Sequence, residues 1–160
     1  MAFKEIKSKI FIKKEEFNPT LFEGKKIVFT NGCFDIVHRG HIEYLAKASE
    51  MGEKMVLGLN TDNSVKRLKG ENRPVNDEYS RALLLASFEF IDAVILFEED
   101  TPYELIKHVQ PDYLVKGSDY NPEDIVGYDI VKAKEGEVKT LDFVEGFSST
   151  SIIEKIKNSY

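Results

Sequence analysis

The 160-residue chain has a single cysteine, Cys33, which excludes an intramolecular disulfide and any metal site built from cysteine alone. No apolar run approaches the roughly 20 residues that span a bilayer. The opening residues, Met1 to Lys7, lack the apolar core and small-residue cleavage site of a secretory signal. A cytoplasmic protein with no membrane partner is therefore expected. Basic charge is also short: 22 Lys and Arg stand against 28 Asp and Glu, a net charge of −6. The basic residues are spread rather than clustered, so nucleic acid is not expected as a partner, because duplex binding rests on clustered phosphate neutralisation. G-x-x-x-x-G-K-[ST] is absent, and no G-x-G-x-x-G follows the first apolar run. A P-loop and a dinucleotide fingerprint are thereby excluded. Internal repeats and low-complexity segments are missing too. What is present is an ordinary globular composition, 42% hydrophobic and 31% charged, in a chain long enough for one domain with one sizeable core.

Short apolar runs alternate with helical periodicity. Strands are expected at 26–30, 55–59, 93–97, 113–115 and 138–141. Helices are expected at 41–51, closed by Gly52, at 78–90 with Asp77 as cap, and after Thr101 with Pro102 in first position. Two more are expected at 123–134 and 149–157, while 60–74 reads as a polar loop. Strands that are apolar throughout and alternate with helices imply a parallel sheet covered on both faces. The fold class is therefore α/β, a doubly wound five-stranded parallel sheet. Residues 1–25 mix Lys and Glu with Ile6, Ile10, Phe11, Ile12 and Phe17. They read as an N-terminal arm packing on the domain or on a second subunit, so a homodimer is expected; residues 26–160 form the domain.

The most informative segment is His38-Arg39-Gly40-His41, where the first strand passes into the first domain helix. Free amides and the helix dipole favour an anion at such a junction. Two imidazoles add side-chain donors, and the glycine allows close backbone approach. The alternative is a pair of surface or capping histidines, although two of the three histidines in the chain fall within four positions. A zinc site from His38 and His41 lacks further ligands at suitable spacing. Cys33 as a nucleophile lacks a residue to orient the histidine, so it reads as a small buried core residue. The basic stretch Lys66 to Arg73 is either a local phosphate site or a solvated loop. All these segments follow strands, at the carboxyl edge where ligands of such folds bind.

Thr30-Asn-Gly-Cys-Phe-Asp35 followed by His38-Arg-Gly-His41 resembles the H-x-G-H nucleotidyltransferases. Within them the chain is most similar to the adenylyltransferase domains of ADP-heptose synthases, which act on heptose 1-phosphate. That likeness runs through Asn60 to Asp62, Arg67 to Gly70, Arg73 to Asn76, Glu98 to Pro102, Leu114 to Gly117, Asp119-Tyr120, Gly136 and Gly146 to Thr150 with Ile152-Ile153. It covers about residues 24–157 and implies a Rossmann-like nucleotidyltransferase fold. Many such domains are fused to a sugar kinase; these 160 residues hold none, so a separate kinase is expected to supply the sugar 1-phosphate. The final motif resembles S-T-T but reads Ser148-Ser149-Thr150, which keeps the hydroxyls. The second likeness is to glycerol-3-phosphate cytidylyltransferases, whose late motif has arginine where Phe143 stands here, and this favours the heptose group. A third reading is a nucleotide-binding module without turnover.

The resemblance implies attack of a sugar phosphate oxygen on the α-phosphorus of ATP, or CTP, with pyrophosphate leaving. It implies His38 and His41 on the α- and β-phosphates, and Ser149 and Thr150 on β/γ oxygens unless they only cap the helix with Ser151 and Glu154. Lys69 is implied as a catalytic cation, and Arg81 is either a phosphate ligand or a helix surface residue. Thr30, Asn31, Gly32, Cys33, Phe34, Asp35, Gly40 and Ser148 are implied to line the nucleotide, and Lys116, Gly117 and Asp119 to border nucleotide or sugar. Arg73 and Asp62 are further candidates near the substrate phosphate. Magnesium is expected with the triphosphate, without a certain protein ligand.

Overall fold

The computed structural model describes residues 1–160. A short helix, α1 (Phe3–Ser8), leads into a two-residue strand, β1 (Ile10–Phe11), and two 3-10 turns. There follow β2 (Ile27–Gly32), α2 (Arg39–Ser49), β3 (Lys54–Asn60), α3 (Asp62–Lys69), α4 (Glu78–Ala86), β4 (Ala93–Phe97) and α5 (Tyr103–Val109). The chain closes with β5 (Tyr113–Gly117), α6 (Tyr128–Ala133), β6 (Glu137–Leu141) and α7 (Ser149–Ser159). The sheet order is β1-β4-β3-β2-β5-β6 and every pairing is parallel.

The expected class holds, and the strand count is corrected from five to six. The added strand lies in the N-terminal segment, where Ile10 and Phe11 pair with Val94 and Ile95 at the sheet edge. Two residues are too few to show a period of two, so the signal for β1 is absent from the sequence. Phe17 from the same segment is fully buried and meets Phe11 edge to face at 5.3 Å.

Alternation along the strands sorts the core into two layers. Val28, Met55, Leu57 and Val94 face α2 and α4, packing with Leu45, Ala48, Leu85 and Ala86. Ile27, Phe29, Val56 and Ile95 face the other way, toward Leu105, Ile106 and Val109 of α5 and Val131 of α6. No helix is long and apolar enough to cross a membrane.

Three expected element boundaries change. The supposed loop after β3 begins as α3, capped by Thr61, whose side chain accepts the Ser64 amide. Only Ser64 and Val65 of this helix are buried, too few apolar contacts to leave a periodic trace. The expected 123–134 helix is split, with a 3-10 turn at Pro122–Asp124 and α6 starting after Gly127 at φ 94°. Pro102, not Thr101, is the cap residue of α5. Asp77 caps α4 as expected, accepting the Ser80 amide at 2.9 Å.

The sheet order reverses between β2 and β5, which pair with each other while their following connections run in opposite directions. That switch point opens a crevice at the carboxyl ends of the strands.

Candidate active site

A cavity of about 610 Å³ occupies this crevice. Its lining joins the ends of β2 and β5, the start of α2, the end of α3 and the start of α7. His38 is the cap residue of α2, and its Nδ1 accepts the Gly40 amide at 3.1 Å. The Nδ1 of His41 in turn accepts the His38 amide at 3.3 Å. With both Nδ1 atoms accepting, each ring proton resides on Nε2, which leaves two Nε2–H donors for a ligand. A side chain at Gly40 would bring its Cβ within 2.9 Å of the His38 ring, so this position needs glycine.

The two imidazoles are part of an aromatic column. Phe34 meets His41 edge-on at 5.2 Å, His41 stacks on His38 at 3.9 Å, and Phe147 lies parallel to His38 at 6.3 Å. Burial, helped by the charges of His38 and Lys69, pushes the His41 pKa down to about 4. Burial lowers His38 as well. Both rings are therefore neutral donors near pH 7 in the free protein.

Across the cavity, Ser148 caps α7. Its hydroxyl accepts the Ser151 amide at 3.0 Å, and the Ser151 hydroxyl returns toward Ser148. The capping pair is thus Ser148 with Ser151, not Ser151 with Glu154. Ser149 donates to the Ile36 carbonyl at 3.2 Å, tying α7 to the loop before α2, and Thr150 also lines the cavity. Lys69 reaches the cavity from the last turn of α3, so the helix missing from the sequence reading is what delivers this cation. Lys116, at the end of β5, donates to Asn31 Oδ1 at 3.0 Å, and burial lowers its pKa against the pull of Asp119 and Cys33.

The structure brings most of the expected residues together: Asn31, Gly32, Cys33, Phe34, Asp35, His38, Gly40, His41, Lys69, Lys116, Gly117, Asp119 and Ser148 to Thr150 all line this cavity. Cys33 is partly exposed there rather than a core residue. Four other expected residues, Thr30, Arg81, Asp62 and Arg73, do not line the cavity. Thr30 is fully buried, its hydroxyl shared between Tyr44 Oη at 3.0 Å and the Val115 carbonyl at 2.9 Å. Arg81 is neither phosphate ligand nor surface residue. It is 1% exposed and donates to the carbonyls of Asn76, Cys33 and Asn60 and to Asp62 at 2.8 Å. Asp62 is thereby occupied as the partner of Arg81. Arg73 pairs through Nε with Asp35 at 2.8 Å, while its Nη2 is buried without a partner.

Asp35 is the centre of a clamp. Its carboxylate accepts the amides of Val75 and Asn76 as well as Arg73 Nε. Burial alone would raise its pKa, but these donors outweigh it and hold the carboxyl below the usual range. No group of three His, Cys, Asp or Glu side chains is placed to hold a metal ion. The carboxylate left open at the cavity wall is Asp119, which is exposed. Lining residues that the sequence reading gave no site role include the aromatic Tyr44, Phe97, Tyr120, Phe143 and Phe147. Tyr120, Phe143 and Phe147 lie within three residues of Gly117 or Gly146, whereas Tyr44 and Phe97 leave no such signal.

With this geometry in place, similarity to known proteins is informative. The cytidylyltransferase-like family model matches residues 29–155. The chain is 58% identical over 135 residues to the bifunctional protein HldE of Nitratiruptor sp., covering 84% of this chain and 28% of that one. It is 54% identical over 166 aligned positions to the protein of the same name from Campylobacter jejuni subsp. doylei, covering 99% and 35%. The chain therefore spans about a third of the length of the curated relatives it matches. Among solved structures, the lipopolysaccharide core biosynthesis protein from Thermoplasma volcanium GSS1 superposes with a TM-score of 0.60 at 28% identity, over 76% of this chain and 98% of that one. Pantothenate synthetase from Thermus thermophilus superposes at 0.61 with 18% identity, over 94% and 70%, a likeness of fold alone.

Proposed function

We propose, for a chain that belongs to the cytidylyltransferase-like family, transfer of an adenylyl group from ATP to a heptose 1-phosphate, releasing pyrophosphate and giving ADP-heptose for lipopolysaccharide core or related glycan synthesis. The observation that carries this reading is the pairing of two Nε2–H imidazole donors at the start of α2 with the Ser149–Thr150 start of α7 on one cavity. Two helix N-termini with three free side-chain donors, His38, His41 and Thr150, suit a chain of phosphates, the Ser149 hydroxyl being engaged by the Ile36 carbonyl. The run of shared motifs from Asn60 to Ile153, and Phe143 in place of arginine, favour the heptose acceptor over glycerol 3-phosphate.

The chemistry needs little from acid–base catalysis. A sugar phosphate oxygen is already anionic near neutral pH, so it attacks the α-phosphorus directly and in line. What the protein supplies is position and neutralisation of charge on the leaving pyrophosphate. His38 and His41 donate to phosphate oxygens, Ser149 and Thr150 hold the leaving end, and Lys69 adds positive charge. Asp35, Arg73, Arg81 and Asp62 act one layer out, fixing the loops that carry Cys33 and the residues after it. Asp119 is the open carboxylate at the wall that would help hold magnesium, which when bound would neutralise phosphate charge. A sugar kinase activity supplies the acceptor.

The test is pyrophosphate release measured for ATP and CTP, each with heptose 1-phosphate and with glycerol 3-phosphate. ATP with heptose 1-phosphate is expected to support turnover. Turnover confined to CTP with glycerol 3-phosphate would replace this reading with the cytidylyl one. Nucleotide binding without release from any pair would leave a non-catalytic binding module.

A further inference from the structure

Phe143 is 60% exposed, and its ring stands at the edge of the cavity. It is nevertheless held in place. Its Cζ and Cε2 lie 2.1 and 2.2 Å from where a Cβ at Gly117 would stand, so the ring rests directly on the bare peptide at the end of β5. On another side it lies near-parallel to Tyr44, with centroids 6.0 Å apart and planes 23° apart. Val144 and Tyr120, the latter 50% exposed, line the same cavity.

The phosphate donors of this cavity come from α2, α3 and α7. The wall formed by Gly117, Tyr120, Phe143 and Val144 offers instead flat apolar surface, bordered by the Asp119 carboxylate, whose Oδ1 lies 2.8 Å from the same Cβ position at Gly117, and by Lys116, whose Nζ is turned to Asn31. A nucleoside triphosphate has one part that matches such a wall, its base. An aromatic ring with an exposed face binds a base by stacking, without reading its edges.

We infer that Phe143 is the base platform of this site: the nucleotide base stacks on its ring beside Gly117, and the glycine is there to let the ring and the base approach the β5 peptide. This assignment rests on the triphosphate reading given above. It makes Phe143 a binding residue for the nucleoside rather than for its phosphates, and it separates base affinity from phosphate affinity.

The experiment compares binding of ATP and of inorganic tripolyphosphate by calorimetry, in the wild-type chain, Phe143→Ala and Phe143→Tyr. Phe143→Ala is expected to weaken ATP roughly 5- to 150-fold, the range that base stacking on an aromatic ring contributes. Tripolyphosphate is expected to bind it as it binds wild type, and Phe143→Tyr is expected to restore ATP affinity. Equal weakening of both ligands would overturn the assignment, because the ring would then only order the loop before α7. Unchanged or tighter ATP binding by Phe143→Ala would also overturn it, the ring then being neutral or a plug. Failure of the transfer reading looks different: ATP binding that depends on Phe143, with no pyrophosphate released for any acceptor, would retain the base platform and remove the reaction.

Discussion

The imidazoles of His38 and His41 lie 3.9 Å apart with their planes 27° from parallel, and each turns Nδ1 to a main-chain amide. Stacking and capping together leave each ring only one free polar atom, Nε2, already carrying its proton. Removing one such donor from a charge-stabilising site costs on the order of 10²–10³ in rate. His41→Ala is therefore expected to lower kcat for pyrophosphate release by that factor. Because the change leaves the sheet and its two core layers intact, the melting temperature is expected to shift by no more than about 4 °C. Steady-state kinetics with a thermal melt checks both. Near-normal kcat would remove His41 from the chemistry.

The same burial that fixes the tautomer makes the pair sensitive to acid. His41 titrates at about 4 in the folded chain, below its ordinary value of 6.5. Between those values the unfolded chain binds more protons than the folded one, so stability falls with falling pH. The contribution is fully present above pH 6.5 and is lost as pH falls toward 4. Urea unfolding of wild type and His41→Gln at about pH 7.5 and about pH 5, on either side of the ordinary histidine range, measures it. The wild-type chain is expected to lose more stability between the two; equal losses would contradict the depressed value.

Asp35 and Arg73 form a structural clamp, which predicts an asymmetric pair of variants. Asp35→Ala strands a guanidinium of which 15% of the side chain is exposed and leaves the Val75 and Asn76 amides without their acceptor. A cost of about 3–5 kcal/mol is expected. In Arg73→Ala the carboxylate keeps both amides, so the loss is expected to be smaller. Chemical denaturation of the two variants checks the order, and a larger loss for Arg73→Ala would reverse the assignment of which partner organises the segment.

Gly117 and Phe143 are predicted to be coupled. A methyl group at 117 would meet the Phe143 ring at 2.1 Å, so Gly117→Ala must displace the ring. Its effect on KM for ATP should resemble that of Phe143→Ala, and the double variant should be no worse than either single one. A double-mutant cycle on KM measures this, with additive losses excluding the contact as their common cause.

How far the sequence was readable follows from the kind of signal each feature leaves. β2 through β6 were legible because runs such as Met55 to Leu59 and Ala93 to Phe97 are apolar on both faces of a buried sheet. The histidine pair was legible because local order alone places it at a strand-to-helix junction. β1 and α3 were not, since a two-residue strand and a helix burying only Ser64 and Val65 have no period to detect. The settings of Arg73 and Arg81 were not legible for another reason. Their charges are visible in sequence, but their partners Asp35 and Cys33 lie 38 and 48 residues away. Only the fold shows that both guanidinium groups turn inward. The setting of Thr30 was hidden likewise, its hydroxyl being satisfied by Val115, 85 residues on.

Adenylyl transfer to a sugar phosphate is most directly tested by following ATP and heptose 1-phosphate with magnesium by phosphorus NMR, in wild type and in His41→Ala. The account predicts that wild type converts them to equal amounts of pyrophosphate and a diphosphate-bridged nucleotide sugar, with the variant slowed at least about 100-fold. Release of orthophosphate without the bridged product, or equal rates in the two chains, would contradict it.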